Sequence, residues 1–176
     1  MDEYIACICE GDTEQAIIEL LLENNSLKFE KKNLLDEKVL RTRAAKKFEE
    51  QHLRKQFNKP IKVYRILDSR TEKFKLGRAY EKKVAEIVNI ITAPEIEMLI
   101  IFNEDTYEDY KKSKKKPSAY CKEDLNYKNI KQPSFIKEYF SDVNTLITAI
   151  KLYRDKKNIP KDEKTLFDLL RECYFG

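Results

Sequence analysis

Glycine and proline are scarce, at 3 and 5 in 176 residues. That shortage argues against a loop-rich all-β design and favours helices. Histidine is reduced to one residue, His52. Histidine-centred catalysis or a histidine metal cage would rest on that single side chain, and its Lys/Arg-rich surroundings suit a surface or boundary role instead. The four cysteines, Cys7, Cys9, Cys121 and Cys173, nowhere form the C-x2-C spacing of a zinc site. Cys7 and Cys9 share one face of an apolar run, where thiols behave as small hydrophobes. No apolar run approaches the roughly 20 residues of a membrane span. The opening MDEYIACICEG has no basic start and no cleavage pattern, so we expect no signal peptide, no membrane partner and a cytoplasmic location. The G-x-x-x-x-G-K-[ST] loop is also missing, so any use of ATP has to come from a partner.

What is present is enough for one domain with a core. Hydrophobic residues make up 41% of the chain and charged residues 38%, which predicts a buried interior under a densely ionic surface. The net charge of +4 is mild, but its distribution is uneven. Lys111, Lys112, Lys114, Lys115 and Lys116 lie in KKSKKK, and Arg41, Arg43, Lys46, Lys47, Arg54 and Lys55 form a second basic segment. Such clusters can track a phosphate backbone or simply be solvated faces, and Glu49 and Glu50 interrupt the second.

Ile5 to Cys9 reads as a short buried strand, followed by a helix capped at Asp12 or Thr13 with Ile17, Leu20, Leu21 and Leu22 on its apolar stripe. Asn24-Asn25-Ser26 stops that helix, and Leu27 to Phe29 suits a short strand. Val39, Leu40, Ala44, Phe48, Leu53 and Phe57 keep roughly helical spacing without Gly or Pro, which predicts a long helix over 36–57, packed on the sheet or serving as a homo-oligomer surface. Residues 61–67, IKVYRIL, alternate and are β-branched, hence a strand ending at Asp68. A helix over 77–86 and a strand over 87–92 follow. Thr92 with Glu95 three residues on resembles a capping box for a helix beginning PEIEMLIIF, although that apolar run equally suits a buried strand. Ser118, then Pro133 or Ser134, then Ser141 or Asp142 start further helices, and Pro160 begins a last one. The order implies an α/β fold: a parallel sheet flanked by helices over 1–116, and a helical C-terminal extension over 117–176 packed on that core.

In parallel α/β folds ligands bind beyond the carboxyl ends of the strands. Glu10 and Asp68 stand at two such ends, and Glu95 and Glu97 follow the third. Carboxylates converging there suit a hard divalent cation, with Gly11 allowing close backbone approach and the helix dipole facing an anion. That outlines a phosphoryl-transfer or phosphodiester-hydrolysis site. The competing structural reading makes each acid a cap, a dipole partner or a turn residue.

CEGDTE (Cys9–Glu14) resembles the E-G-x-T-E opening of RloB-like proteins, a branch of the Toprim-fold superfamily. Asp68 of ILDSR matches the first aspartate of that superfamily's D-x-D, and TAPEIEMLI (Thr92–Ile100) is similar to the third block of the RloB-like group, with Glu97 its best-matching acid. The resemblance spans roughly residues 3–110. It implies a Toprim-like central sheet and a nuclease binding Mg2+ or Mn2+ through Glu10, Asp68 and Glu97, with Glu10 as metal ligand or general base. It also implies an antiphage (abortive-infection or restriction) context and an AAA- or ABC-type ATPase partner. One departure matters: Arg70 replaces the second aspartate. Arg70 and the lysines at 111–116 would contact the phosphates of RNA (tRNA included) or DNA, while Glu95, Glu104 or Asp105 could supply the lost charge. The alternative is a non-catalytic partner or sensor subunit, binding an ATPase or a phage protein through Leu146, Ile150, Tyr153, Leu166, Leu169 and Leu170.

Overall fold

The computed structural model describes residues 3–156 and 159–175, the side chain of Glu95 excepted. Three parallel strands, β1 (Tyr4–Cys9), β2 (Ile61–Leu67) and β3 (Val84–Ile91), form one sheet in that spatial order. β1 and β2 are near-continuous apolar runs because both of their faces are covered. Cys7, Cys9, Tyr64, Ile66 and Ile90 face the larger core. Ala6, Ile8, Ile61 and Val63 face a smaller one closed by Leu35, Leu40, Phe48, Leu53 and Leu76. β3 starts at Val84, three residues before the expected strand, because it pairs with β2 from Ile61 onward. The expected helix over 77–86 is thereby cut to one turn, Arg78–Glu81.

The long helix over 36–57 does not form. In its place are a short 3-10 turn at Leu35–Glu37, a helical turn at Ala45–Phe48 and a wide π-type turn at Glu49–Leu53. The free edge of β1 explains this. Leu40 N–H donates to Cys7 O at 2.7 Å and Cys9 N–H donates to Leu40 O at 2.9 Å. Asp36 and Glu37 take positive φ to bring the chain there. Edge pairing with β1 satisfies backbone groups that a helix would otherwise have closed on itself. The homo-oligomer surface expected on that helix therefore has no helix to carry it. Leu27–Phe29 is likewise no strand; only Leu27 makes a bridge, antiparallel to Leu170.

The helix after β1, α1 (Asp12–Glu23), is capped by the Gly11 backbone without a side-chain bond, so Asp12 and Thr13 lie inside its first turn. Asn24 and Asn25 end it as expected, Asn25 at φ 52. The apolar run after β3 is a helix, α2 (Glu95–Asn103). Met98, Leu99, Ile100 and Ile101 are all fully buried, which makes its central turn apolar on every side. Thr92 does not cap it; its hydroxyl donates to Leu67 O at 2.9 Å. Asp105, at φ 55, breaks the chain direction before α3 (Tyr107–Ser113). Then come α4 (Pro117–Glu123), α5 (Pro133–Tyr139) and α6 (Val143–Lys156). Lys116 and Gln132 stand at the N-caps of α4 and α5, with Pro117 and Pro133 at their first positions. The Asp142 carboxylate accepts the Asn144 N–H at 2.9 Å, as expected for the start of α6.

The segment from Pro160 is not a helix but two 3-10 turns, Leu166–Leu169 and Glu172–Tyr174. Ile91 N–H donates to Lys164 O at 2.8 Å, and Leu170 bridges Leu27. These bridges to distant backbone take the place of helical bonding. Residues from α1, α2, α4 and α6 share one core, so the helices beyond 116 close the main interior. Among the described residues no helix is long and apolar enough to cross a membrane.

Candidate functional site

β1 and β2 run in register, Cys9 opposite Ile66, so Glu10 and Asp68 emerge beside one another. The Asp68 N–H donates to Glu10 Oε2 at 2.9 Å, and Arg43 binds Glu10 Oε1. Arg43 reaches Glu72 Oε1 at 2.8 Å, and the buried Arg65 reaches Glu72 Oε2 at 2.9 Å. Glu10 is thus an anchor in a chain of ion pairs, its side chain only 6% exposed. It positions the turn after β2.

A cleft of about 470 Å³ opens at these strand ends, between the start of α1, the turn after β3 and the loop before α5. Glu14, Asp68 and Glu97 all line it, together with Asp12 and Lys131. Glu14 sits one turn into α1 and is buried. Its carboxyl is pushed up first by burial and then by the charges of Asp68 and Glu97; its own backbone N–H and Arg41 pull the other way. A β-carbon at Gly11 would lie 2.3 Å from Glu14 Oε2. A side chain at position 11 would therefore push the Glu14 carboxylate aside, while the backbone φ of −117° is ordinary.

Comparison of this chain with protein-family models, with curated proteins and with solved structures finds no match.

The cleft brings together two of the three expected acids, Asp68 and Glu97, and replaces Glu10 with Glu14. The signal for Glu14 lies in the sequence: it is the second glutamate of CEGDTE, placed one helical turn from the glycine. Among the described residues no three His, Cys, Asp or Glu side chains are arranged to hold a metal as they stand. Carboxylate oxygens are the kind of donor that Mg2+ and Mn2+ take. Such ions take one or two carboxylates, keep waters and share substrate phosphates, and three like charges on one cleft favour a cation between them.

Arg70 does not face the cleft. Its guanidinium grips Glu163 with two bonds, at 2.7 and 2.9 Å, and a third reaches Ala93 O at 3.3 Å. It latches the C-terminal segment to the turn after β3. The lysine run is also elsewhere. Lys111 and Lys112 pair with Glu108 and Asp109 on α3, and Lys115 with Glu123 and Asp124. Lys114 and Lys116 flank the turn between α3 and α4. Of the acids considered for the missing charge, the Glu95 side chain lies outside the described residues. Glu104 Oε1 accepts the hydroxyls of Tyr127 at 2.8 Å and Tyr139 at 2.6 Å. Asp105 occupies a turn. The cations that do approach the cleft are Lys131 and Arg41, the latter bonded to Asp12 and to Glu10 O. Thr13 ties the start of α1 to this side, donating to Lys131 O at 2.9 Å.

The candidate partner-binding leucines of the alternative reading are interior. Leu146, Ile150, Tyr153, Leu166, Leu169 and Leu170 are each at most 4% exposed and belong to the main core.

Proposed function

We propose that the chain is a Toprim-like, RloB-like nuclease that hydrolyses phosphodiesters of RNA or DNA with Mg2+ or Mn2+, in antiphage defence. The observation that carries the reading is the shared cleft: Glu14, Asp68 and Glu97, which follow three successive strands, line one cavity beside a helix N-terminus. Asp68 and Glu97 would hold the cation, with Glu14 completing its charge. A divalent cation bound there supplies Lewis-acid neutralisation of phosphate charge. The raised carboxyl of Glu14 suits a proton acceptor for the attacking water. Lys131, Arg41 and the N-terminal amides of α1 would orient the phosphate. Glu10 holds Asp68 in place through its backbone N–H. The antiphage setting and an ATPase partner rest on the resemblance alone.

A second reading has its own observation. Arg70 is locked to Glu163, Glu10 to Arg43, and the described acids form no ready metal cage; this favours a Toprim-like subunit that has lost catalysis and acts as a partner or sensor.

The test is cleavage of mixed tRNA and plasmid DNA with Mg2+ or Mn2+, comparing wild type with Asp68→Ala, Glu97→Gln and Glu14→Gln. Metal-dependent cleavage lost in all three supports the nuclease. Metal-independent cleavage sinks the metal mechanism, and no cleavage with either ion leaves the partner subunit.

A further inference from the structure

A second cavity, of about 150 Å³, lies against the outer strand and shares no lining residue with the acidic cleft. Lys28, Lys62 and Lys164 come to it from a loop, from β2 and from the C-terminal segment, with Tyr64 as its floor. The ammonium groups of Lys28 and Lys62 stand 5.2 and 5.5 Å from the centre of the Tyr64 ring, which Phe29 stacks against and steadies.

The carboxylates present are already engaged. Glu86 pairs with Lys62 at 2.6 Å. Asp168 accepts the Thr165 N–H at 2.8 Å and pairs with Lys164 at 3.3 Å and Arg154 at 3.7 Å. Lys28 donates to a backbone carbonyl, Asp168 O, at 2.6 Å. No ion pair to Lys28 occurs among the described residues. Its ammonium is held below the usual lysine range, first by burial and then by the Lys62 charge, Asp168 opposing and Lys164 adding to the effect. Three lysines meet two carboxylates around the pocket, which leaves one positive charge in surplus, that of Lys28.

We propose that this pocket binds a phosphomonoester group, held by the ammonium groups of Lys28, Lys62 and Lys164 over the Tyr64 ring. Ammonium donors that arrive from three separate segments match the three terminal oxygens of a phosphomonoester, whereas a phosphodiester offers only two. The group can come from free inorganic phosphate or from the 5′ end of a nucleic acid.

The test is calorimetric titration of the full chain with inorganic phosphate at constant ionic strength, with chloride as the reference. One-site binding is expected, weakened at least tenfold in Lys28→Met and Lys164→Met and unchanged in Lys122→Met on α4. Lys164 is half exposed, so Lys164→Met keeps the fold and reads binding alone; melting curves of all variants accompany the titrations. A 5′-phosphorylated oligonucleotide that competes with phosphate, while its 5′-hydroxyl twin does not, identifies a nucleic acid end as the source. Competition by neither oligonucleotide, with phosphate still bound, identifies a free small anion. The proposal falls if phosphate does not bind at 10-millimolar order (roughly the weak limit for three lysines), if both lysine variants bind as wild type does, or if the two oligonucleotides compete equally.

Discussion

Glu14 is the residue on which the nuclease reading turns, and its environment makes a thermodynamic prediction independent of any substrate. Its carboxyl is raised by burial and by Asp68 and Glu97. A group raised in the folded state contributes stability fully below its unfolded value and loses it as the pH climbs through the folded one. At neutral pH, without a divalent cation, Glu14 therefore costs stability. Each unit of such displacement corresponds to about 1.4 kcal/mol. The open mouth of the cleft screens the charges, and the Glu14 backbone N–H and Arg41 oppose the shift, so Glu14→Gln should gain about 0.5–1 kcal/mol. For a chain of this size that is a rise of roughly 1–4 °C in Tm. A cation that binds only the folded cleft adds about 2.7 kcal/mol at a hundredfold excess over its Kd, or roughly 5–10 °C. Melting curves at pH 7.5, with chelator and with Mg2+, for wild type and Glu14→Gln give all four numbers. The expected pattern is a higher Tm for the variant in chelator and a smaller Mg2+ increment. A variant that melts lower in chelator, or Mg2+ increments that are equal, would refute the argument that three carboxylates repel one another across this cleft.

Other expectations follow from the same geometry. Gly11→Ala keeps the fold, since φ is ordinary there, but displaces the Glu14 carboxylate; cleavage should fall at least about tenfold (the scale of ~1.4 kcal/mol) with Tm nearly unchanged. Glu104→Gln removes the anionic acceptor of two tyrosine hydroxyls and should cost about 1–2 kcal/mol in urea unfolding. The Tyr127 hydroxyl is pushed up to about 12, first by its bond to Glu104. Stability from this cluster is thus fully present below about pH 10 and lost as the pH rises from there through about 12; Glu104→Gln should flatten the alkaline loss and return a tyrosine titration, read by ultraviolet absorbance, toward the ordinary range. Glu163→Ala frees Arg70 and should cost only about 0.5–1 kcal/mol, yet speed hydrogen exchange at the Ile91 amide, which bonds Lys164 O. Leu99→Ala, in the fully buried centre of α2, should cost about 2–5 kcal/mol.

The parts of this fold that were legible in the sequence are those whose bonding is local or whose burial is two-sided. IKVYRIL is β-branched and covered on both faces, and it is a strand over the expected residues. Asn24 and Asn25 stop α1 by a local turn. The errors arise where a distant edge competes with local preference. Residues 36–57 carry helical spacing, but Leu34 and Leu40 pair with Ile5 and Ile8 at the open side of β1. The segment after Pro160 reads as helical, yet its backbone joins residues 27 and 90. At the cleft, position after a strand pointed to Asp68 and to the pair Glu95 and Glu97, and the resemblance singled out Glu97; the same reasoning chose Glu10, which is paired with Arg43, over Glu14, which looks like an ordinary first-turn acid. Arg70 could not be placed, because its partner lies 93 residues away.

The all-round burial at the centre of α2 has a consequence for synthesis. Its apolar residues, Ile96 and Met98 to Phe102, are buried in a core shared with α4 and α6, which follow it in the chain. On the ribosome, the greasiest segment of the protein is made before the parts that shelter it. It must wait for α6, ending at Lys156, and at about 5–20 residues per second that exposure lasts for seconds. Nascent chains stalled before α6 should therefore recruit hydrophobic-segment chaperones, and release them once that helix clears the tunnel.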